Sequence, residues 1–189
     1  QLFVQIEVER ELFRGLTANN EVNGIFSGRG VPIYAAGTAG GNYAEQLFRA
    51  MNGVRGSAFV EPEWIILHPT DWQTVRLLKD TAGQYFGGGP FLGPYGGPQG
   101  PLGMSAQISG PQDTLWNKRV YITAQIGGPG TALVGTSVCA QVWSRGGLSV
   151  EATNAHQNYF ALNLVAIRAE RRVGLAVYRP GGFCEVRLS

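Results

Sequence analysis

The side chains with the most chemistry to offer in this 189-residue chain are few and far apart. Cys139 and Cys184 form neither a CxxC pair nor a metal-binding spacing, and two thiols cannot staple a chain this long. They read as small buried hydrophobes in a reduced, cytoplasmic setting. His68 and His156 lack an HxxxH or HxxE partner, which argues against zinc; His68, between Trp64–Leu67 and Pro69, reads as a structural histidine at a strand end. Lys79 and Lys118 are followed by Asp80 and Arg119, without the glycine frame of a phosphate loop. Ser137 sits in GTSVC, which lacks the second glycine of a nucleophile elbow. Gly24-x-x-x-Gly28-x-Gly30 neither follows a clear strand nor opens a helix, so it does not read as a dinucleotide site. Three aspartates and ten glutamates are spread through the chain, and spacing singles out no carboxylate dyad. Arg171-Arg172 offers either a nucleic-acid patch or the solvated, ion-paired face of a strand, and the second reading is preferred. The residues point to no catalytic centre, metal or cofactor.

Composition points the same way. Charged residues make up 15% of the chain, below the average of about 25%, and Gly, at 28 residues, is roughly double its usual share of about 7%. Net charge is +2, and 13 of the 15 basic residues are Arg. That balance excludes a polybasic arm, an acidic tail and a generically disordered chain. No stretch approaches the run of about 20 apolar residues that a membrane helix needs, and the start, with acidic residues close behind Gln1, is unlike a signal peptide.

The elements that must position these residues alternate between helical and strand periodicity. Residues 2–16 predict a helix, with Leu2, Ile6, Leu12, Phe13 and Leu16 apolar, and Gly15 near its C-terminal end. Starting inside a helix without a cap or an initiator Met, the chain is expected to be a fragment of something longer. After a loop over Ala18–Gly30 and a glycine-rich turn at Gly37–Gly41, Asn42 is the expected N-cap of a helix over Tyr43–Val54. Trp64–His68 reads as a buried strand, and Thr70 as the cap of a helix reaching about Lys79. Gly87–Pro111 holds nine Gly and five Pro and reads as a long, exposed, mobile loop. Strands are expected at Val120–Ala124, Ala132–Gly135, Val138–Trp143 and Leu148–Glu151, with Ala152–Asn158 a polar connection. A long run over Phe160–Tyr178, a turn at Arg179–Gly182 and a strand at Phe183–Leu188 complete an α+β chain with an extended C-terminal sheet.

Three blocks of residues resemble a known family. Ile66-Leu67-His68-Pro69-Thr70-Asp71-Trp72, then Leu77-Leu78-Lys79-Asp80, Gly83, Tyr85 and Gly87-Gly88-Gly89-Pro90, are similar to the "(N/H)-P-x-D-W … LLKD-x-x-G-x-Y … GGP" block of tailed-bacteriophage major capsid proteins of the Hong Kong phage type. Leu115-Trp116-Asn117-Lys118-Arg119-Val120 resembles that family's "LWG-x-PV". Ala140–Arg145, Val150-Glu151-Ala152 and Glu170-Arg171-Arg172 through Tyr178-Arg179-Pro180 resemble its "QVWDR … VEV … EER-x-x-x-AxYRP" signature. Order and spacing over about 120 residues make the match specific.

The resemblance implies a fold and a role. Residues 1–30 would end the spine helix of a peripheral domain, 31–142 would form mainly the axial domain with the loop 87–111, and 143–189 would supply peripheral strands and return to the axial domain. An N-terminal arm and extended loop would be missing. The family implies a structural, non-enzymatic subunit that associates with itself as pentamers and hexamers, encloses DNA in an icosahedral shell, touches no membrane and resides in the virion after assembly in the host bacterial cytoplasm. The piece present is expected to be a monomer or small oligomer that does not close into shells. Some relatives weld neighbours by an isopeptide bond, and the resemblance places the Asn of that link at Asn163 and its Glu base at Glu170; the alternative for these two is a strand-edge polar residue and an ion-pair partner of an Arg. An encapsulin-like nanocompartment shell is the alternative on the same fold.

Overall fold

The computed structural model describes residues 2–19, 21–27, 30–35, 42–79, 81–83, 113–156 and 158–188. The expected loop Gly87–Pro111 and glycine-rich turn Gly37–Gly41 lie outside them. Helix α1 spans Leu2–Arg14, α2 Tyr43–Ala58 and α3 Pro69–Arg76. The strands are β1 (Ile33–Ala35), β2 (Trp64–Leu67), β3 (Thr114–Leu115), β4 (Lys118–Ile122), β5 (Thr131–Gly135), β6 (Ala140–Thr153), β7 (Ala166–Val177) and β8 (Phe183–Arg187). Six strands form one mixed sheet in the order β1-β8-β5-β2-β4-β3, and β6 and β7 form a separate antiparallel ribbon.

Alternation along the sheet strands builds two cores. Ile65 and Leu67 of β2, Ala132 and Val134 of β5 and Val186 of β8 face α2 and α3, meeting Leu47, Met51, Val54, Trp72 and Val75. Leu133 and Phe183 face the opposite side, with Ile25, Ile126 and Cys139. Strand β5 is therefore covered on both faces, as its unbroken run of apolar residues requires.

The helix ends show where tertiary contacts overrule local preference. Asn42 caps α2 as expected, its side chain accepting from the Glu45 amide at 3.1 Å. The helix continues past the expected end at Val54, through Gly56 to Ala58, because its last turn packs on the Pro180–Gly182 turn, where Ser57 Oγ donates to the Gly181 carbonyl at 2.8 Å. For α3, the capping residue is His68 rather than Thr70: its Nδ1 accepts from the Thr70 amide, with Pro69 in the first helical position. The helix stops at Arg76, short of Lys79.

The ribbon differs most from expectation. The two short strands anticipated over 138–143 and 148–151 are one 14-residue strand, Ala140–Thr153, so Ala152 and Thr153 are strand rather than connection, while Val138 and Cys139 lie in a 3-10 turn before it. A bulge joins the halves: pairing moves from Arg145↔Arg172 to Ser149↔Glu170, and Gly146 turns at a φ of 76°. In the opposite direction, β7 begins only at Ala166, because the Leu162 amide bonds to the Asn158 carbonyl (3.1 Å) and the Leu164 amide to the Tyr159 carbonyl (2.9 Å), closing a coiled turn where strand was expected. β1, unanticipated, is three residues pairing in parallel with β8.

Candidate assembly surfaces

The residues reviewed for chemistry are placed apart. Cys139 and Cys184 are both buried thiols outside any disulfide, on opposite sides of the sheet. His68 caps α3, while His156 lies edge-on against Tyr159 in the ribbon's distal turn. Among the described residues no group of three or more His, Cys, Asp or Glu is arranged to hold a metal, and no helix is long and apolar enough to cross a membrane.

The motif residues instead hold the fold together. Asp71, 2% exposed, accepts a hydrogen bond from the Gly130 amide at 2.9 Å, tying the start of α3 to the turn before β5. Nothing local to Asp71 announces this, since its partner lies 59 residues away. Trp116 and Asn117 form the two-residue turn of the β3–β4 hairpin, with φ of 52° and 61°. Positive φ at both positions is the geometry that favours Asn or Gly, which explains why Asn117 stands where the resembling motif has Gly. Trp116 is anchored there by its indole N–H, which donates to the Ala44 carbonyl at 2.9 Å, and by its ring against Phe48 at 4.9 Å.

The ribbon has two unlike faces. Residues paired across an antiparallel ladder point the same way, so the register assigns Val142, Val150, Ala152, Ile167, Ala169, Val173, Leu175 and Val177 to one face. Gln141, Trp143, Arg145, Ser149, Glu151, Arg168, Glu170 and Arg172 share the other. The expected Arg171-Arg172 patch is thereby split. Arg171 lies on the apolar face, where it lines a crevice with Phe3, Val4, Glu7 and Glu11 of α1; Arg172 stands opposite Arg145 on the polar one. α1 covers only the near part of the apolar face. Beyond it Val150 and Ile167 (73% exposed) stand uncovered on that face, and Val165, Leu164 and Phe160 (80% exposed) are exposed in the connection between the two strands, a concentration of exposed apolar side chains of the kind that marks a contact surface. α1 itself buries no residue, and its Leu2 and Phe3 are exposed at the same end.

A second surface is an open groove of about 730 Å³ between β2, β4 and the turn at Ser137, lined by Glu61, Glu63, Trp64, Ile66, Lys118, Arg119 and Tyr121. Its two carboxylates and Lys118 are already engaged. Glu61 accepts from Arg55 at 2.7 Å and pairs with Lys118 at 2.8 Å; the Arg55 hydrogen bond, then that of Lys118, pulls its pKa down to about 2. Glu63 accepts from the hydroxyl and the amide of Ser137, and those bonds lower its pKa as well. Carboxylates held ionised by neighbours serve as struts, not as general acids.

The two positions assigned to a cross-link lie on either side of the start of β7. Asn163 is exposed in the turn at a φ of 52°. Glu170 is exposed in mid-strand, within 3.6 Å of Arg168 and 4.0 Å of Arg172.

Known proteins share this arrangement. The chain superimposes on the structure of Gordonia phage Cozz with a TM-score of 0.69, at 15% identity, covering 98% of this chain and 60% of that one. It superimposes on the capsid of an empty GTA particle with a TM-score of 0.65, at 14% identity, covering 97% and 62%. The holo-SrpI encapsulin complex from Synechococcus elongatus PCC 7942 gives 0.53 at 12% identity, covering 98% and 61%. These likenesses define the fold, an α+β arrangement common to these structures. In sequence, the major capsid protein of Enterobacteria phage HK97 is 34% identical over 117 residues, which are 61% of this chain and 26% of that protein. The phage capsid family model matches residues 5–187, and the chain belongs to that family. It spans less than two thirds of the length of each of these proteins.

Proposed function

We propose that this chain is a structural subunit of an icosahedral bacteriophage or prophage capsid, which associates with copies of itself as pentamers and hexamers into a shell around DNA. The virion is its location, assembled in the host bacterial cytoplasm, and its work is contact rather than catalysis. The observation that carries this reading is the ribbon. Its strands of 14 and 12 residues contain no buried residue, yet they pair almost throughout, and Phe160, Leu162 and Leu164 stand exposed just before the second strand. An isolated two-stranded ribbon is marginal in water; one with an apolar face uncovered gains its stability against a partner.

The encapsulin alternative shares the fold, and the 34% identity to a phage major capsid protein favours the phage side. The proposed division into peripheral residues 1–30 and 143–189 and axial residues 31–142 is supported by the contrast between ribbon and six-stranded sheet. Within the same reading, Asn163 and Glu170 are the positions for a covalent link: a Lys amine of a neighbour attacks the Asn163 carboxamide, forming an amide and releasing ammonia, while Glu170 takes the ammonium proton. The exposure of both residues supports access by a neighbour, which would have to bury Glu170 for that proton transfer.

The test is to purify nuclease-resistant particles from cells carrying the gene and to identify shell protein and content. Peptides of this chain in the shell, with protected DNA inside, are expected. Particles holding a protein cargo without DNA, or lacking these peptides, would overturn the proposal.

A further inference from the structure

The polar face of the ribbon carries a charge arrangement that costs the isolated chain stability. Arg145 and Arg172 are direct cross-strand partners, a position in which like charges repel. Among the described residues Arg145 has no acidic group within 4.0 Å, and the one contact of Arg172 is with Glu170 at that limit. Next along the same face stand Glu170, opposite Ser149, and Glu151, opposite Arg168. Arg168 serves both carboxylates, at 2.8 Å from Glu151 and 3.6 Å from Glu170, so this second group keeps an excess negative charge while the first keeps two positive ones. Trp143, 59% exposed, pairs with Gly174 beside the arginines, leaving its ring uncovered by a cross-strand side chain.

We propose that this face is a two-fold docking surface for a second copy of the chain: two ribbons lie polar face to polar face, and each Arg145–Arg172 pair receives Glu170 and Glu151 of the other. The pattern is self-complementary, positive then negative along one strand, which is the condition for an isologous contact. It also argues against nucleic acid as the occupant. A duplex presents one negative charge per about 1.7 Å of axis, and such a line would meet two carboxylates within one or two strand steps, each about 7 Å, of the arginines. Trp143 beside two arginines adds the residue types that dominate contact energies. The proposal rests on the shell-subunit reading and names one of its contacts, and at Glu170 it excludes the cross-linking role, because a carboxylate held by two arginines stays ionised and takes no ammonium proton.

Sedimentation velocity of the chain at low and high salt tests it, with thermal unfolding as a second readout. The wild type is expected to dimerise more tightly at low salt. Arg145→Glu with Arg172→Glu should weaken dimerisation at least tenfold while the chain still unfolds in a single cooperative transition, and Glu151→Arg with Glu170→Arg should weaken it similarly. Mixing the two double variants should restore the dimer. A monomer at every salt concentration, no loss in the variants, no rescue on mixing, or binding of a short DNA duplex through these arginines in place of dimerisation would each overturn the proposal. The particle assay above can still succeed in any of those cases, so the two readings fail separately.

Discussion

Strands β2 and β5 on the one hand, and β6 and β7 on the other, use the same alternation toward opposite ends. In β2 and β5 the alternating side chains find partners within the chain: Ile65, Leu67, Leu133 and Val134 are fully buried between helices and loops. Along β6 and β7 the alternation is as regular, but α1 meets the apolar face only around Ala169, Arg171 and Val173, and Val142, Val150 and Ile167 face solvent. The difference teaches that regular pairing and burial are separable. A strand pair can be fully specified in register and still depend on another molecule to cover it.

Substitutions can break or sharpen this contrast. The largest effect is expected in the sheet, where Leu67→Ala leaves a cavity in a fully buried position and should cost about 2–5 kcal/mol in denaturant unfolding. Ile167→Ala in the ribbon should stay within about 0.5 kcal/mol of wild type in the same experiment. Asp71→Ala comes next, because it removes the buried carboxylate from the Gly130 amide; a loss of about 1.5–3 kcal/mol is expected. At the β3–β4 turn, Asn117→Val forces a β-branched residue into a φ of 61° and should cost about 1–2 kcal/mol, whereas Asn117→Gly should be near neutral.

The smallest effect is electrostatic. Glu61 titrates near 2 in the fold instead of 4.5 because Arg55 and Lys118 bond its charged form. A depressed carboxylate contributes stability that is fully present above about pH 4.5 and is lost as pH falls toward 2. The group is on the surface, so the contribution is small. Glu61→Gln should be slightly less stable than wild type near neutrality, and its acid unfolding should show a slightly shallower loss of stability in that window, the two curves meeting toward pH 2.

What could be read from sequence divides along the same line. The helix over α2 was legible because Leu47 and Met51 recur at helical spacing behind a capping Asn42. Its last turn was not, because Gly53 and Gly56 argue locally for an end that the contact with Gly181 overrides. Strand β6 appeared as two pieces because Gly146 and Gly147 look like a turn, and only pairing with β7 across a bulge joins them. The motifs identified the family but not the reason for their residues. Asp71 and Asn117 act through a distant amide and through backbone geometry, neither of which leaves a periodic trace. The two faces of the ribbon were written in the alternation of Val173, Leu175 and Val177 against Arg172 and Gly174. Reading them required the register that splits Arg171 from Arg172.

The central claim is that the ribbon's uncovered apolar face works between molecules and not within one. Ile167→Asp tests it most directly, by comparing the melting temperature of the isolated chain with the yield of particles from the gene carrying the same change. An unchanged melting temperature together with loss of particles is expected. A melting temperature lowered as far as that of Leu67→Ala, with particles still forming, would contradict the account.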